Sequence, residues 1–124
     1  MKEVNIAEAP TVEKFGLYRP DLNTRKLGKV QMELVDTGFP NAMYAIAQVM
    51  TWAAENKGYK PNDWKNLPNS FMAFTGAAAR HRVKRLKGEE LDDESSLLHL
   101  AHEAFNVLAL LETTLLEKMK NEEN

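Results

Sequence analysis

The distribution of apolar and polar positions changes character near residue 39. Before it no period is sustained, and Pro10, Gly16, Pro20, Gly28 and Gly38 break up the runs. Val30, Met32 and Leu34 alternate with Gln31 and Glu33, the two-residue period of a short strand or an extended arm. A lone strand would need a partner, so residues 1–38 read as an irregular arm lying on the helices that follow. From Pro40 the spacing becomes helical. Proline suits a first turn, where its missing N–H has no bond to lose. Met43, Ile46, Ala47, Met50 and Ala54 then recur at the three-and-four spacing of a buried stripe. Lys57-Gly58 predicts the stop, a cation in the last turn followed by a glycine for the left-handed cap.

After a stretch rich in turn formers that nevertheless keeps Trp64, a third segment runs from Asn69 or Ser70 to Lys87 and ends at Gly88. Phe71, Phe74, Ala78, His81 and Arg85 share one line on it, and Met72, Gly76, Ala79, Val83 and Leu86 form the neighbouring line. The small residues 76–79 allow another helix to approach closely. The fourth segment is expected to start near Ser95 or Ser96, both good N-caps, and to run to about Lys120. Acids before its start and Lys118 and Lys120 near its end match the helix dipole. The predicted fold is therefore all-α, a small bundle of three main helices over 39–124 with an irregular N-terminal arm over 1–38. At 124 residues this makes one domain.

The last helix is apolar nearly all the way round, except for His99, His102 and Asn106 at i, i+3 and i+7, with Glu103 beside them. At about 100° per residue these three fall within roughly 60° of arc. Such a line faces either water or a polar site. Exposed faces usually carry Lys and Glu, whereas His and Asn are short and directional. Directly before this helix come five carboxylates, Glu89, Glu90, Asp92, Asp93 and Glu94. His81 is either a core histidine satisfied by a hydrogen bond or a neighbour of His99 and His102, should the last two helices pack antiparallel around the loop. Three imidazoles and a loop carboxylate could then hold a divalent metal. Imidazole with carboxylate suits Mn, Fe, Zn or Ni, while Asp92, Asp93 and Glu94 with water suit Mg. The acids alone would also favour the N-terminus of the next helix. Arg80, Arg82, Lys84, Arg85 and Lys87 complement the end of the third helix, and Arg80 and Arg85, flanking His81, could meet a phosphate.

Composition narrows the classes. A formal net charge of −2 argues against a protein that wraps nucleic acid, and the basic helix end lacks interleaved aromatics. Without cysteine there is no disulfide framework, thiolate metal site or cysteine nucleophile. Met1–Glu8 has acids where a signal peptide is apolar, and no run approaches the roughly 18 apolar residues of a membrane span. A cytoplasmic protein, not bound to membrane, is expected. With a modest core, self-association would help it.

Arg80-His81, Gly88-Glu89, Asp92, Glu94-Ser95, His99-Leu100, His102 and Asn106 resemble the phage-rich dATP/dGTP diphosphohydrolase N-terminal domain family. Trp52–Lys57 and Asn62-Asp63-Trp64 look like that family's helix end and its Asn-Trp turn, and Lys29 is similar to its Gly-Lys element. The resemblance implies a helical fold related to the all-α nucleotide pyrophosphohydrolases. It further implies metal-assisted attack of water on a purine deoxynucleoside triphosphate, Mg or Mn being the expected ion, in a homo-oligomer. Carried over, Asp92, Glu94, His99 and His102 would bind the metal or activate water. Lys57 and Arg80 would face phosphate, Trp64 would close over a base or pack in the core, and Asn106 would orient a ligand or a histidine. Ser96 stands where the family has glycine, and the paired Glu-x-x-Glu and Glu-x-x-Asp of the wider superfamily are absent from the helices. The alternative is a non-catalytic accessory protein that binds a nucleotide or a host protein.

Overall fold

The computed structural model describes residues 30–123. Among the described residues four helices follow one another: α1, Glu33–Gly38; α2, Pro40–Lys57; α3, Ser70–Leu86; and α4, His99–Glu123, with a 3-10 turn at Asp63–Asn66. Among the described residues there is no strand, only an isolated antiparallel bridge between Leu91 and Leu98. The fold is all-α, with α2, α3 and α4 as its three main helices. The chain divides into two compact units, one comprising α1 and the end of α4 from Leu115, the other comprising Phe39–Thr114. Everything described below as a site lies in the second unit.

Of the arm expected over 1–38, residues 1–29 lie outside the described residues. At its end, the alternation around Val30–Leu34 forms no strand. Successive short-range bonds (Leu34 N–H to Gln31 O, Val35 N–H to Met32 O, both 3.1 Å) lead instead into α1. With no second strand among the described residues, the backbone there satisfies its polar groups locally, and Glu33 and Asp36 favour the helix N-terminus.

α2 begins and ends where predicted, with Pro40 in its first turn and Gly58 in the left-handed cap at φ 71°. Its buried face is rotated from the expected stripe. Val49 is buried, Ile46, Trp52 and Ala53 are half-buried, and Met43 and Met50 are exposed. Trp52 sets this phase, because its ring must lie edge-on to His102, at 5.8 Å between centroids.

On α3, Phe74 and Ala78 are buried, but Phe71 and the neighbouring Met72, Val83 and Leu86 are exposed. The inward face is narrower than the two predicted lines because one aromatic cluster fills it. Trp64 of the 3-10 turn, Phe74 and Phe105 meet edge to face, with ring centroids 6.1–6.3 Å apart. Each such contact contributes about 0.5–1.5 kcal/mol beyond area burial. That cluster fixes the spacing of α3 and α4 beneath the histidines.

The start of α4 is also displaced. Ser95 and Ser96 are not its caps; the helix begins at His99, behind a loop that folds back on itself. Asp92 N–H donates to Leu97 O at 2.8 Å and His99 N–H to Glu90 O at 2.9 Å. The Ser95 hydroxyl is committed elsewhere, as shown below, and Ser96 takes a left-handed φ of 62°, which a helix cannot continue. The helix then turns its polar line inward: His99, His102, Asn106, Ala109 and Thr113 are buried in sequence, while Leu100, Val107, Leu108 and Leu111 are about half exposed. The solvent-face reading of that line is thereby excluded.

Candidate metal centre

The fold-back loop and the antiparallel ends of α3 and α4 bring all three histidines together. His81 and His102 stack nearly parallel, 8° and 4.5 Å between rings, and His81 and His99 approach with their Nδ1 atoms 2.9 Å apart. His99 has no exposed surface. Its Nε2–H donates to Glu89 at 2.6 Å, so in the neutral ring Nδ1 is the basic nitrogen, turned toward His81.

A second network surrounds His102. Asp92, almost fully buried, accepts at Oδ2 from both the backbone N–H and the hydroxyl of Ser95, each at 2.8 Å. Having donated its only proton, the Ser95 oxygen accepts from Leu97 N–H at 3.2 Å and from His102 Nε2 at 2.7 Å. One donation and two acceptances exhaust a hydroxyl. Neutral His102 therefore carries its proton on Nε2 and leaves Nδ1 as the base. Gly88 and the reversed loop make this possible by returning Asp92 under α4, its carboxylate 3.7 Å from His102 Nε2.

Electrostatics keep the centre in metal-ready protonation states. Burial, then repulsion from His102 and more weakly from His99 and Lys84, lowers the His81 imidazole to about 4, against the pull of Asp92. Burial likewise lowers His102, against the opposing pull of Asp92 and Glu94. For Asp92, burial alone would raise the carboxyl, but the two Ser95 hydrogen bonds and the adjacent His102 and His81 outweigh it and hold it below the usual carboxylate range. At neutral pH the cluster is thus two neutral imidazoles beside an ionised carboxylate.

His81, Asp92 and His99 each present a ligand atom, all within 4.8 Å of one another, a cluster able to hold a metal ion. The donor chemistry fits. The Nδ1 atoms of His81 and His99 face each other across a 2.9 Å hydrogen bond, whose proton an ion would replace. Glu89 behind His99 is the carboxylate that metal-bound imidazoles usually carry on their other nitrogen.

The remaining sequence candidates lie around this cluster in other arrangements. Glu94 is exposed and ion-paired with Lys57 at 3.1 Å, and Lys57 also sits over the Trp52 ring at 5.4 Å. Arg85 donates to Glu103 from both Nε and NH2, at 3.0 and 2.9 Å. Arg80 is exposed. Trp64 packs in the aromatic cluster with Phe74 and Phe105, and Asn106 donates to its own helix at His102 O, 2.8 Å away. Sequence reasoning passed over Glu89 and Ser95 as site groups. Both stood in the Gly-Glu and Glu-Ser elements of the resemblance, which was the signal available for them. Trp52 stood in the helix-end element of the same resemblance.

These features define a small helical bundle with an internal imidazole–carboxylate centre. The chain belongs to the family of dATP/dGTP diphosphohydrolase N-terminal domains, whose model matches residues 21–123. No curated protein and no solved structure matches it. Among the described residues no helix is long and apolar enough to cross a membrane.

Proposed function

We propose that the protein is a metal-dependent nucleotide pyrophosphohydrolase, cleaving purine deoxynucleoside triphosphates to the monophosphate and pyrophosphate in the cytoplasm. The observation that carries this reading is the His81–Asp92–His99 cluster, with Asp92 and His99 buried and Glu89 behind His99, in a chain of this family. His81, Asp92 and His99 hold the ion, Mn²⁺ or Mg²⁺, with the imidazoles favouring Mn²⁺. A bound ion supplies Lewis-acid activation and neutralises phosphate charge. His102 is the proton acceptor: neutral and basic at Nδ1, it would take the proton as water oxygen bonds to the α-phosphorus. The bond from that phosphorus to the α–β bridging oxygen breaks, and pyrophosphate leaves with the bridging oxygen. Ser95 acts through His102, as the group that sets its tautomer. Lys57, Arg80 and Arg85 are the cations assigned to the phosphates in this reading.

The active form is a homo-oligomer. Leu100, Val107 and Leu111 make one half-exposed apolar line on the outer side of α4, the side that the inward turn of the histidines leaves without cover.

One observation favours a second reading, nucleotide binding without turnover. Lys57 and Arg85 are already paired with Glu94 and Glu103, so two of the three phosphate cations are partly neutralised. Incubation with each dNTP and Mn²⁺ or Mg²⁺, resolving monophosphate and pyrophosphate, separates the two. The hydrolase reading expects products that vanish in His99→Ala and fall at least 100-fold in His102→Ala. Binding with no product under any ion overturns it in favour of the second.

A further inference from the structure

The line Met72, Gly76, Ala79, Val83 and Leu86, which the sequence places beside the histidine line of α3, is turned away from the core. Met72, Val83 and Leu86 are 69%, 49% and 71% exposed, and Gly76 and Ala79 are half-buried. Their separations of four, three, four and three residues are those of the a and d positions of a coiled-coil seam. In that register His81 stands at f, on the opposite side of the helix, in agreement with its place in the metal cluster. The e and g positions flanking the second half of the seam are Arg80, Arg82 and Lys87, all exposed. α3 contains no Asp or Glu. The Arg80 guanidinium lies back toward Gly76, its Nη1 3.2 Å from where a Cβ would stand, so a cation borders the hollow that glycine leaves.

We propose that this face of α3 docks a helix of another polypeptide, one whose own apolar seam is flanked by glutamate or aspartate. The inference does not depend on the hydrolase reading. Charge complementarity names the occupant, because the e and g positions of a seam decide which helix it accepts. An acidic helix pairs with Arg80, Arg82 and Lys87 while its apolar side chains cover Met72, Val83 and Leu86. A second copy of α3 is refused. Parallel packing sets Arg82 against Lys87 of the other copy, and antiparallel packing offers these cations no acid. Two other anionic surfaces fit less well. A bilayer is entered by bulky side chains, whereas the middle of this line is Gly76 and Ala79, whose small size lets a second helix axis come close. Single-stranded nucleic acid stacks on aromatic rings set among cations, and the line carries none. From Met72 to Leu86 the seam is about 21 Å long at 1.5 Å per residue. Two free helices of that length are marginal, but α3 is already ordered by the core, so only the incoming helix has its ordering cost to meet.

The test uses the full chain and two labelled synthetic helical peptides with leucine at every a and d position. They are identical except that one carries Glu and the other Lys at every e and g position. Binding is followed by fluorescence anisotropy. The expected result is micromolar affinity for the Glu peptide and at least tenfold weaker binding of the Lys peptide. Arg82→Glu with Lys87→Glu should reverse that order. Val83→Ser with Leu86→Ser, which leaves the cations in place, should weaken the Glu peptide at least tenfold, circular dichroism confirming that these exposed substitutions keep the helices. Equal affinity for the two peptides, or Glu-peptide binding that survives the serine pair, would overturn the assignment. A wild-type sedimenting mass that falls in the serine pair would overturn it in favour of a second copy. Retention of single-stranded DNA or of anionic vesicles, abolished by the charge reversal while neither peptide binds, would give the face to nucleic acid or to lipid instead.

Discussion

Moderate acid should weaken the metal-free protein through His81. His81 is held neutral in the fold, its imidazole pushed down to about 4 from an ordinary 6.5 by burial and by stacked His102. The sign follows from proton uptake. Below pH 6.5 the unfolded chain binds a proton at this position that the folded chain refuses. The stability associated with neutral His81 is therefore complete above 6.5 and is lost as pH falls toward 4. Each pH unit corresponds to about 1.4 kcal/mol, so full burial would give ~3 kcal/mol. His81 is only half-buried and solvent screens it, which reduces the expected loss to about 1–2 kcal/mol. His102, lowered by burial, adds in the same direction. Asp92, held low, contributes its own loss only below its ordinary 3.8. Urea denaturation at pH 7.5, 6.0, 5.0 and 4.5 in the presence of a chelator measures this, with His81→Gln as the comparison. The wild type should lose about 1–2 kcal/mol more than the variant across the interval. Parallel pH profiles for the two proteins would refute the argument, whatever their absolute stabilities.

Three further outcomes are expected. Glu89→Gln should weaken Mn²⁺ binding about 10–100-fold by isothermal titration calorimetry, since a carboxamide supports the metal-facing nitrogen of His99 less well than a carboxylate; unchanged affinity would remove Glu89 from the centre. Ser96→Gly should stabilise the protein by about 0.5–1 kcal/mol, relieving a left-handed φ of 62°, and a thermal midpoint that stays put or falls would contradict the strain. Leu100→Glu combined with Leu111→Glu should convert an oligomer to monomer in sedimentation velocity, and an unaltered sedimenting mass would move the interface elsewhere.

How far the sequence reaches is set by which forces act locally. The extent of α2 was legible because Pro40 and Gly58 act through their own backbone torsions, and α3 stops near Gly88 for the same reason. The phase of α2 and α3 was not, because periodicity counts apolar residues without knowing which of them an aromatic neighbour will reach. Trp52 against His102, and Trp64 between Phe74 and Phe105, choose the inward faces and leave Met43, Met72 and Leu86 outside. The start of α4 misled for a related reason. A serine hydroxyl has one proton, and a cap uses the same oxygen that Ser95 commits to Asp92 and His102, so a tertiary demand displaced a local propensity.

The centre itself was legible in its ligand types but not in its supports. His99, His102 and Asn106 stood out because short polar groups on an apolar helix cost free energy unless they are paired, and that cost is what forces the loop to fold back. Glu89 and Ser95 could not be ranked above Glu90, Asp93, Glu94 or Ser96 by composition, since all share one short acidic turn. Only the reversal at Gly88 and the bridge from Leu91 to Leu98 decide which side chains point under α4. The same inward turn that satisfies the imidazoles leaves Leu100, Val107 and Leu111 uncovered. The polar centre and the apolar outer face are thus two consequences of one helix rotation, and a change that rolled α4 to bury its leucines would have to break the His99–Glu89 and His102–Ser95 bonds to do so.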